Sequence, residues 1–337
     1  MPFINELIQY SSLSIVGLGK NTGKTECLNY ILAHLPLQKL RVGVSSAGID
    51  GERTDQVTQT AKPEIFLRQG VLFTTSEKHY RHRRLTSELM HISQEQTSLG
   101  RLITGKVQTP GKVLLSGPPA TASLKRWIQF LRENYQADLC IVDGALSRMS
   151  TASPAVSESM VLTTGAAVSV NMQELVSKTA FTCELIHLEK SEYAARLMNG
   201  ANLNRVQIID DENQLQATPF SSVMQLEAEL KLLIKQARTV YIPGALTDRF
   251  LKSVSSDQHL IQTPIVVRDF TCVFASPMTF RLFLKKGGQI KVLEKSKLIA
   301  LCVNPVSPGG YRLDSDKLCD ELADKIQIPV YDIVKNG

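Results

Sequence analysis

LSIVGLGKNTGKTECLNYILAH, residues 13–34, is the stretch that decides the fold of this chain. Its apolar start, LSIV, predicts a short buried strand, and a loop containing three glycines follows it. Leu28, Ile31 and Leu32 then recur at the spacing of one helix face, which predicts a helix over residues 26–34. A strand, a glycine loop ending in Gly-Lys-Thr and a helix, in that order, are typical of a phosphate-binding loop, the P-loop.

The chemistry of phosphate binding explains why these residue types occur together. Glycine has no Cβ, so backbone N–H groups can turn inward around phosphate oxygens, and the following helix directs its positive N-terminal end at the same anion. We expect the lysine to supply a full charge to the β- and γ-phosphates and the last threonine to ligate Mg²⁺. The residues predicted to contact a nucleotide are Gly17, Gly19, Lys20, Asn21, Thr22, Gly23, Lys24 and Thr25. The alternative is a glycine turn in which Lys-Thr occurs by chance.

The spacing of the glycines resembles that of particular P-loop families. Five residues separate Gly17 from Gly23, and this longer spacing resembles the loop of dethiobiotin synthetase and its relatives. The core KNTGKT, residues 20–25, resembles the accessory GTP-binding protein of molybdopterin-guanine dinucleotide synthesis. Both families belong to the signal-recognition, MinD and BioD-like class of P-loop NTPases, in which an extra lysine early in the loop often acts across a dimer. The resemblance makes Lys20 the candidate for that role in a homodimer, although it lies one residue closer to Lys24 than the signature of that class requires.

Two acidic positions follow predicted strands. The apolar run LCIV at 139–142 ends at Asp143, and a carboxylate at such a strand tip beside a P-loop accepts a Mg²⁺-bound water. A second predicted strand, 40–45, leads into an acidic loop in which Asp50 is the first choice and Asp55 the second, because α/β sheets keep their ligands at the carboxyl ends of strands. The alternative for either residue is a solvated loop or a helix cap. The predicted catalytic residues are Lys24, Asp50 and Asp143, and the predicted metal ligands are Thr25, Asp50 and Asp143.

The composition predicts a large core and no membrane span. The chain has 337 residues, of which 43% are hydrophobic, and this suggests two domains. No run approaches the roughly 18 apolar residues of a membrane helix, and the start MPFINELIQYSS carries no small-residue cleavage site, so we expect a cytoplasmic protein. The six cysteines form no C-x-x-C pair, and we expect them to be buried free thiols.

Residues 78–84, KHYRHRR, form a basic cluster. Clustered arginines can bind phosphates through paired hydrogen bonds, so this segment could cover a nucleotide, face an acidic partner or bind nucleic acid. The alternative is the solvated start of a helix. Much of the net charge of +6 comes from such local clusters, and Tyr80 is the only aromatic residue among the basic residues of this one. We therefore expect no nucleic-acid partner.

Strands that alternate with helices predict an α/β fold with a doubly wound, mostly parallel sheet and a smaller C-terminal α/β module. The predicted division places a P-loop NTPase core at 1–190, connecting strands and helices at 191–237, and the module at 238–337, either packed on the first domain or continuing its sheet. The predicted strands include 165–170 and 184–188. The serine-rich segment 147–159 predicts a switch-like loop.

The wider sequence resembles one bacterial family, the ATP-binding subunit of the reactivating factor for adenosylcobalamin-dependent lysine 5,6-aminomutase. The segments that carry the resemblance include residues 17–32, KPEIFL at 62–67, ADLCIVDGALSRMS at 137–150 and SPAVSESMVLTTGAA at 153–167. The resemblance covers roughly the first 190 residues. It implies ATP and Mg²⁺ as ligands, a MutS-like second subunit as partner, and the release of damaged cobalamin from the inactive aminomutase. No Asp-x-His-x-x-Gly stretch typical of cobalamin-binding folds occurs, so the chain would act on the aminomutase without holding the cofactor itself.

Two other functions are compatible with the same loop. One is a biosynthetic ligase that activates a carboxylate by phosphorylation, as dethiobiotin synthetase and the Mur ligases do. The other is a nucleotide-binding scaffold without catalysis. The choice between ATP and GTP stays open, because the chain has no Asn/Thr-Lys-x-Asp guanine signature and its absence does not establish adenine.

Overall fold

The computed structural model describes residues 3–48, 64–145, 156–200, 202–223 and 228–335. The chain forms two compact units. Unit 1 combines Met1–Ala180 with Ser296–Gly337, and unit 2 is Phe181–Lys295. This division differs from the predicted boundaries at 190 and 238, and the segment Ser296–Gly337, which was predicted to belong to the C-terminal module, belongs to unit 1.

Unit 1 contains a long mixed sheet with helices on both faces. Its elements, up to the boundary with unit 2, are α1 (Phe3–Leu7), β1 (Ser12–Gly17), α2 (Lys24–His34), β2 (Val42–Ser46), β3 (Ile65–Leu67), β4 (Leu72–Ser76), α3 (Glu77–Arg81), β5 (Arg84–Thr97), β6 (Gly100–Val113), α4 (Thr121–Tyr135), β7 (Leu139–Ala145), β8 (Ser159–Gly165) and α5 (Met172–Ile186). The boundary between the units falls within α5. An α/β fold with a mostly parallel sheet is therefore confirmed.

Unit 2 is a smaller α/β body. Its further elements are α6 (Ala194–Asn199), β9 (Gln207–Asp210), β10 (Leu215–Ala217), α7 (Ala228–Lys235), β11 (Ala237–Ile242), β12 (Leu246–Thr247), α8 (Asp248–Val254), α9 (Gln258–Gln262), β13 (Ile265–Val267), β14 (Val273–Phe274), α10 (Pro277–Lys285) and β15 (Ile290–Val292). Its main sheet has the order β10-β9-β11-β13-β15, in which the last three strands run parallel. Tyr241 is buried in the core of this unit, and its hydroxyl donates to the carbonyl of Leu203 at 3.1 Å.

The chain then returns to unit 1 as a βαβ unit, made of β16 (Lys297–Asn304), α11 (Ser315–Ile326) and β17 (Val330–Asp332). Within the described residues, the order of the sheet of unit 1 is β17-β16-β8-β1-β7-β2-β4-β6-β3, with β5 paired to β6. The seven strands from β17 to β4 pair in parallel, and β3, β5 and β6 join antiparallel. Parallel strands end at the same edge, so segments distant in sequence meet there.

The central strands are buried because helices cover both faces of the sheet. In β7, Leu139 and Ile141 belong to one core cluster, together with the apolar residues of α1 and α2. Cys140 and Val142, which point to the opposite face, pack with the apolar side of α4. Two-sided burial of this kind explains the near-continuous apolar runs in β1, β7 and β8.

Several predicted elements are wrong. Residues 166–171 form turns after β8, so the strand predicted at 165–170 does not exist, and 184–186 complete α5 where a strand was predicted at 184–188. Both runs are apolar, and periodicity alone does not separate a short strand from a helix end. Among the described residues, no helix is both long enough and apolar enough to cross a bilayer.

Candidate anion-binding loop

The predicted phosphate loop occupies residues 17–25 at the carboxyl edge of the sheet. Strand β1 ends at Gly17, and α2 begins at Lys24. Gly23, the residue before the helix, has φ of 87° and Asn21 has φ of 59°, so the backbone turns twice through the left-handed region. Such a turn aims consecutive N–H groups into one concavity, and the 11-residue α2 adds its positive N-terminal end. The local geometry is that of an anion cradle.

The interior of the loop depends on the glycine at position 17. A Cβ at Gly17 would collide with Thr22 Oγ1 and would lie 3.0 Å from Lys24 Cδ. The Thr22 side chain is fully buried, and its hydroxyl donates to the carbonyl of Gly19 at 3.1 Å. Lys24 Nζ donates to the same carbonyl at 3.3 Å, so the ammonium group lies at the loop itself. Only glycine at position 17 leaves room for the Thr22 and Lys24 side chains to pack against the loop.

Residues far away in the sequence form the walls of the loop. Leu18 N donates to the carbonyl of Thr163 at 2.9 Å, which extends the β1–β8 ladder into the loop. Val168 approaches Gly19, while Asn304 and Ile333 approach Gly23 so closely that a Cβ there would collide with Ile333. Sequence reasoning missed these wall residues. The one sequence signal was the apolar run of β16, which ends at Asn304 in the way that the apolar run 139–142 of β7 ends at Asp143.

Asp143 lies on the strand next to the loop strand. In the register of β1 and β7, its Cα is the partner of Ile15. The Asp143 carbonyl accepts from Ala47 N at 2.7 Å, and this bond fixes the end of β2 against β7. A hydrogen bond to Cys302, burial and the negative charge of Asp143 raise the pKa of the Cys27 thiol well above its usual range.

The other predicted site residues have different outcomes. Thr25 is half-buried in the first turn of α2, and Lys20 and Asn21 are exposed on the loop. Asp50 and Asp55 lie outside the described residues, as does most of the predicted switch segment 147–159. Among the residues that the structure describes, no group of three or more His, Cys, Asp or Glu side chains could hold a metal ion. Thr25 and Asp143 would supply one hydroxyl and one carboxylate, which are ligand types that suit Mg²⁺, because Mg²⁺ usually binds through one or two carboxylates together with substrate phosphates.

The basic cluster at 78–84 belongs to another part of the sheet. It covers α3 and the start of β5, and β7 and β2 separate its neighbour β4 from the loop strand, a distance of roughly 14 Å at the usual strand spacing. Arg83 donates to the Tyr80 carbonyl at 2.7 Å, and its guanidinium group lies 3.9 Å from the centre of the Tyr80 ring. Arg81 pairs with Glu77, and the imidazole of His79 is buried against Ser116 Oγ at 3.1 Å. Most of the cluster thus has local structural partners.

Comparison of the chain with protein families, with characterised proteins and with solved structures finds no match.

Proposed function

We propose that this chain is a Mg²⁺-dependent P-loop NTPase. The observation that carries the proposal is the glycine loop between a fully buried strand and α2, with Lys24 inside the loop and Asp143 on the adjacent strand. A loop of this kind offers backbone N–H groups, one ammonium group and a helix N-terminus to a single anion. These are the groups that a di- or triphosphate requires, and a doubly wound sheet is the usual setting for them.

In this proposal the residues have distinct roles. The backbone N–H groups of 19–25 bind the phosphate oxygens, and Lys24 leaves the Gly19 carbonyl to contact the β- and γ-phosphates. Thr25 and Asp143 would hold the metal, Thr25 through its hydroxyl and Asp143 through its carboxylate. When bound, Mg²⁺ neutralises charge on the phosphates and thereby favours attack at the γ-phosphorus. Asp50, from the acidic loop after β2, is the proposed further carboxylate.

The particular task that we propose is reactivation of an adenosylcobalamin-dependent aminomutase. The support for it is the resemblance of the first 190 residues to the ATP-binding subunit of such a reactivating factor. ATP hydrolysis would drive a conformational change, together with a MutS-like subunit, that releases damaged cofactor from the aminomutase. A nucleotide-dependent change of this type needs a segment that differs between two states, and the serine-rich segment at 147–159 is the candidate.

Calorimetric titration with MgATP and with MgGTP tests the nucleotide site. We expect the wild-type chain to bind one of them and Lys24→Ala to lose at least 100-fold in affinity, because hydrogen bonds to a charged group contribute about 1.5–3 kcal/mol each and Lys24 makes more than one such contact. Lys39→Ala is the matched control, since Lys39 is exposed in the turn after α2, at the opposite end of that helix from the loop. Absence of heat with both nucleotides would contradict the proposal.

Turnover measurements separate the three functions. ATP hydrolysis that rises when an inactivated aminomutase and a MutS-like subunit are added supports the reactivase. Hydrolysis that requires a small carboxylate and an amine supports the ligase and contradicts the reactivase. Nucleotide binding without hydrolysis under any of these conditions supports the scaffold.

A further inference from the structure

The residue at the tip of β8, Thr163, contacts the anion-binding loop twice. Its carbonyl accepts from Leu18 N at 2.9 Å, and its Oγ1 lies 2.9 Å from Thr22 Oγ1. Thr163 and Thr22 are both completely buried, although 141 positions separate them in the sequence. A buried hydroxyl pair needs to be satisfied internally, because water cannot replace a lost partner.

The order of donors in this contact follows from counting hydrogens. A hydroxyl group has one hydrogen, and Thr22 uses its own to donate to the Gly19 carbonyl at 3.1 Å. The Thr163 hydroxyl is then the donor to Thr22. The result is a continuous series of hydrogen bonds from Thr163 through Thr22 to the Gly19 carbonyl, which also accepts from Lys24 Nζ. Hydrogen bonds linked in this way strengthen one another in a buried setting.

This series of hydrogen bonds fixes the backbone of the loop between Gly19 and Gly23, just before α2 begins. Thr22 precedes Gly23, the left-handed residue from which α2 begins, and its hydroxyl fills the space beside Gly17. If Thr22 rotated, the Gly19 carbonyl would lose a donor and the N–H groups between Gly19 and Gly23 would no longer be held in one direction. Thr163 holds the Thr22 side chain in its observed orientation.

We propose that Thr163 is a positioning residue for nucleotide binding, which holds the loop in its anion-binding conformation through the hydroxyl of Thr22. This inference rests on the proposed function, because it assumes that the loop binds a nucleoside di- or triphosphate. It assigns a role to a residue outside the loop and outside the predicted metal ligands. No sequence motif indicates this role, because a single contact between two threonines at a strand end leaves no recognisable pattern.

The next residue along the same strand provides a matched control. Thr164 Oγ1 lies 3.0 Å from Thr179 Oγ1 of α5, and both side chains are completely buried. Thr163→Val and Thr179→Val therefore each remove one hydroxyl from a buried Thr-Thr pair, and only Thr163→Val removes a contact to the loop. A purely structural role for Thr163 predicts the same behaviour for both variants.

The experiment measures Kd for MgATP and for MgGTP, together with Tm, for the wild type, Thr163→Val, Thr163→Ser and Thr179→Val. We expect Thr163→Val to bind the preferred nucleotide roughly tenfold more weakly, the usual order for a buried hydrogen-bond partner that is lost. Thr163→Ser keeps the hydroxyl and should restore affinity to within about twofold. Thr179→Val should lower Tm about as much as Thr163→Val without changing Kd. If Thr163→Val does not fold, Thr22→Val removes the same bond together with the bond to the Gly19 carbonyl and should lose at least as much affinity, and wild-type affinity in that variant would overturn the inference.

Wild-type affinity in folded Thr163→Val, or an equal loss of affinity in Thr179→Val, would overturn the inference and leave the proposed function standing. A wild-type chain that binds neither nucleotide would overturn both.

Discussion

Two segments of unit 1 carry the positive groups that a phosphate could attract, and they differ in every physical respect. The loop at 17–25 contains two lysines, and one of them, Lys24, lies inside a cradle of backbone N–H groups between two buried elements. The cluster at 78–84 contains twice as many lysines and arginines in a shorter stretch, namely Lys78, Arg81, Arg83 and Arg84. Its arginines instead contact two glutamates, an aromatic ring and a backbone carbonyl.

The comparison teaches that backbone geometry, and not charge density, distinguishes the proposed anion site from the basic cluster. The loop, its wall residues and Asp143 all lie at one edge of the sheet, because the parallel strands that carry them end there. The basic cluster begins a long antiparallel hairpin, β5 and β6, whose strands have several register shifts and a largely exposed outer strand. An antiparallel hairpin joins residues that are close in sequence, so it gathers few distant groups into one site.

Gly17→Ala should have the largest effect, because it places a methyl group inside the anion-binding loop. The added methyl group would collide with Thr22 Oγ1 and press on Lys24, so we expect a loss of nucleotide affinity of roughly 100-fold, in line with overpacking costs of about 1–3 kcal/mol. Gly309→Ala is the control, because a Cβ there would meet only Ser307 Oγ at 3.9 Å. Titration calorimetry measures both variants, and nearly unchanged affinity in Gly17→Ala would contradict the cradle geometry.

Asp143→Asn tests whether the neighbouring strand completes the site. The change removes the negative charge and keeps the shape, so we expect the gain in nucleotide affinity produced by Mg²⁺ to fall by about tenfold, as is typical for partners of metal-bound groups. Nucleotide affinity measured in EDTA should stay the same. Comparing titrations with Mg²⁺ and with EDTA gives the result, and an equal loss in both would show that Asp143 acts on folding and not on the metal.

Arg83→Ala tests the opposite side of the comparison. We expect it to reduce the free energy of unfolding by about 1 kcal/mol, because it removes the contact with the Tyr80 ring and the hydrogen bond to Ser87 Oγ at 3.0 Å. Nucleotide affinity should not change. Arg81→Ala breaks only an exposed ion pair with Glu77, so urea unfolding should show a smaller loss in its free energy of unfolding. A large loss of nucleotide affinity in Arg83→Ala would mean that the basic cluster belongs to the site.

Cys140→Ala should have the smallest effect, and the readout is its dependence on pH. Burial raises the pKa of the Cys140 thiol from 9.0 to about 12, partly offset by Arg132. Between these values the unfolded chain releases a proton that the folded chain keeps, so stability falls as pH rises through this range. In urea unfolding, Cys140→Ala should lose less stability than the wild type between pH 9 and pH 11. Identical slopes would show that this thiol ionises alike in both states.

Local signals account for the elements that sequence reasoning predicted well. The glycine loop, α2 with its buried face of Leu28, Ile31 and Leu32, and the strand that carries Asp143 all lie where they were expected. Each of these elements is formed by residues that are close in sequence, so an apolar periodicity or a spacing of glycines predicts it directly. The hairpin β5–β6 was missed, because its alternation is weak and its outer strand is exposed.

The sequence by itself determined the loop, its lysine and the alternation of strands with helices, because chain stereochemistry and apolar periodicity act over short distances. Only the tertiary structure decided that Thr163, Asn304 and Ile333 surround that loop. Their positions follow from the order of strands in the sheet, in which β8 pairs with β1, β16 pairs with β8, and β17 pairs with β16. The whole of unit 2 lies between β8 and β16 in the sequence. Strand order is a property of pairing across the complete chain, and no short stretch of residues encodes it.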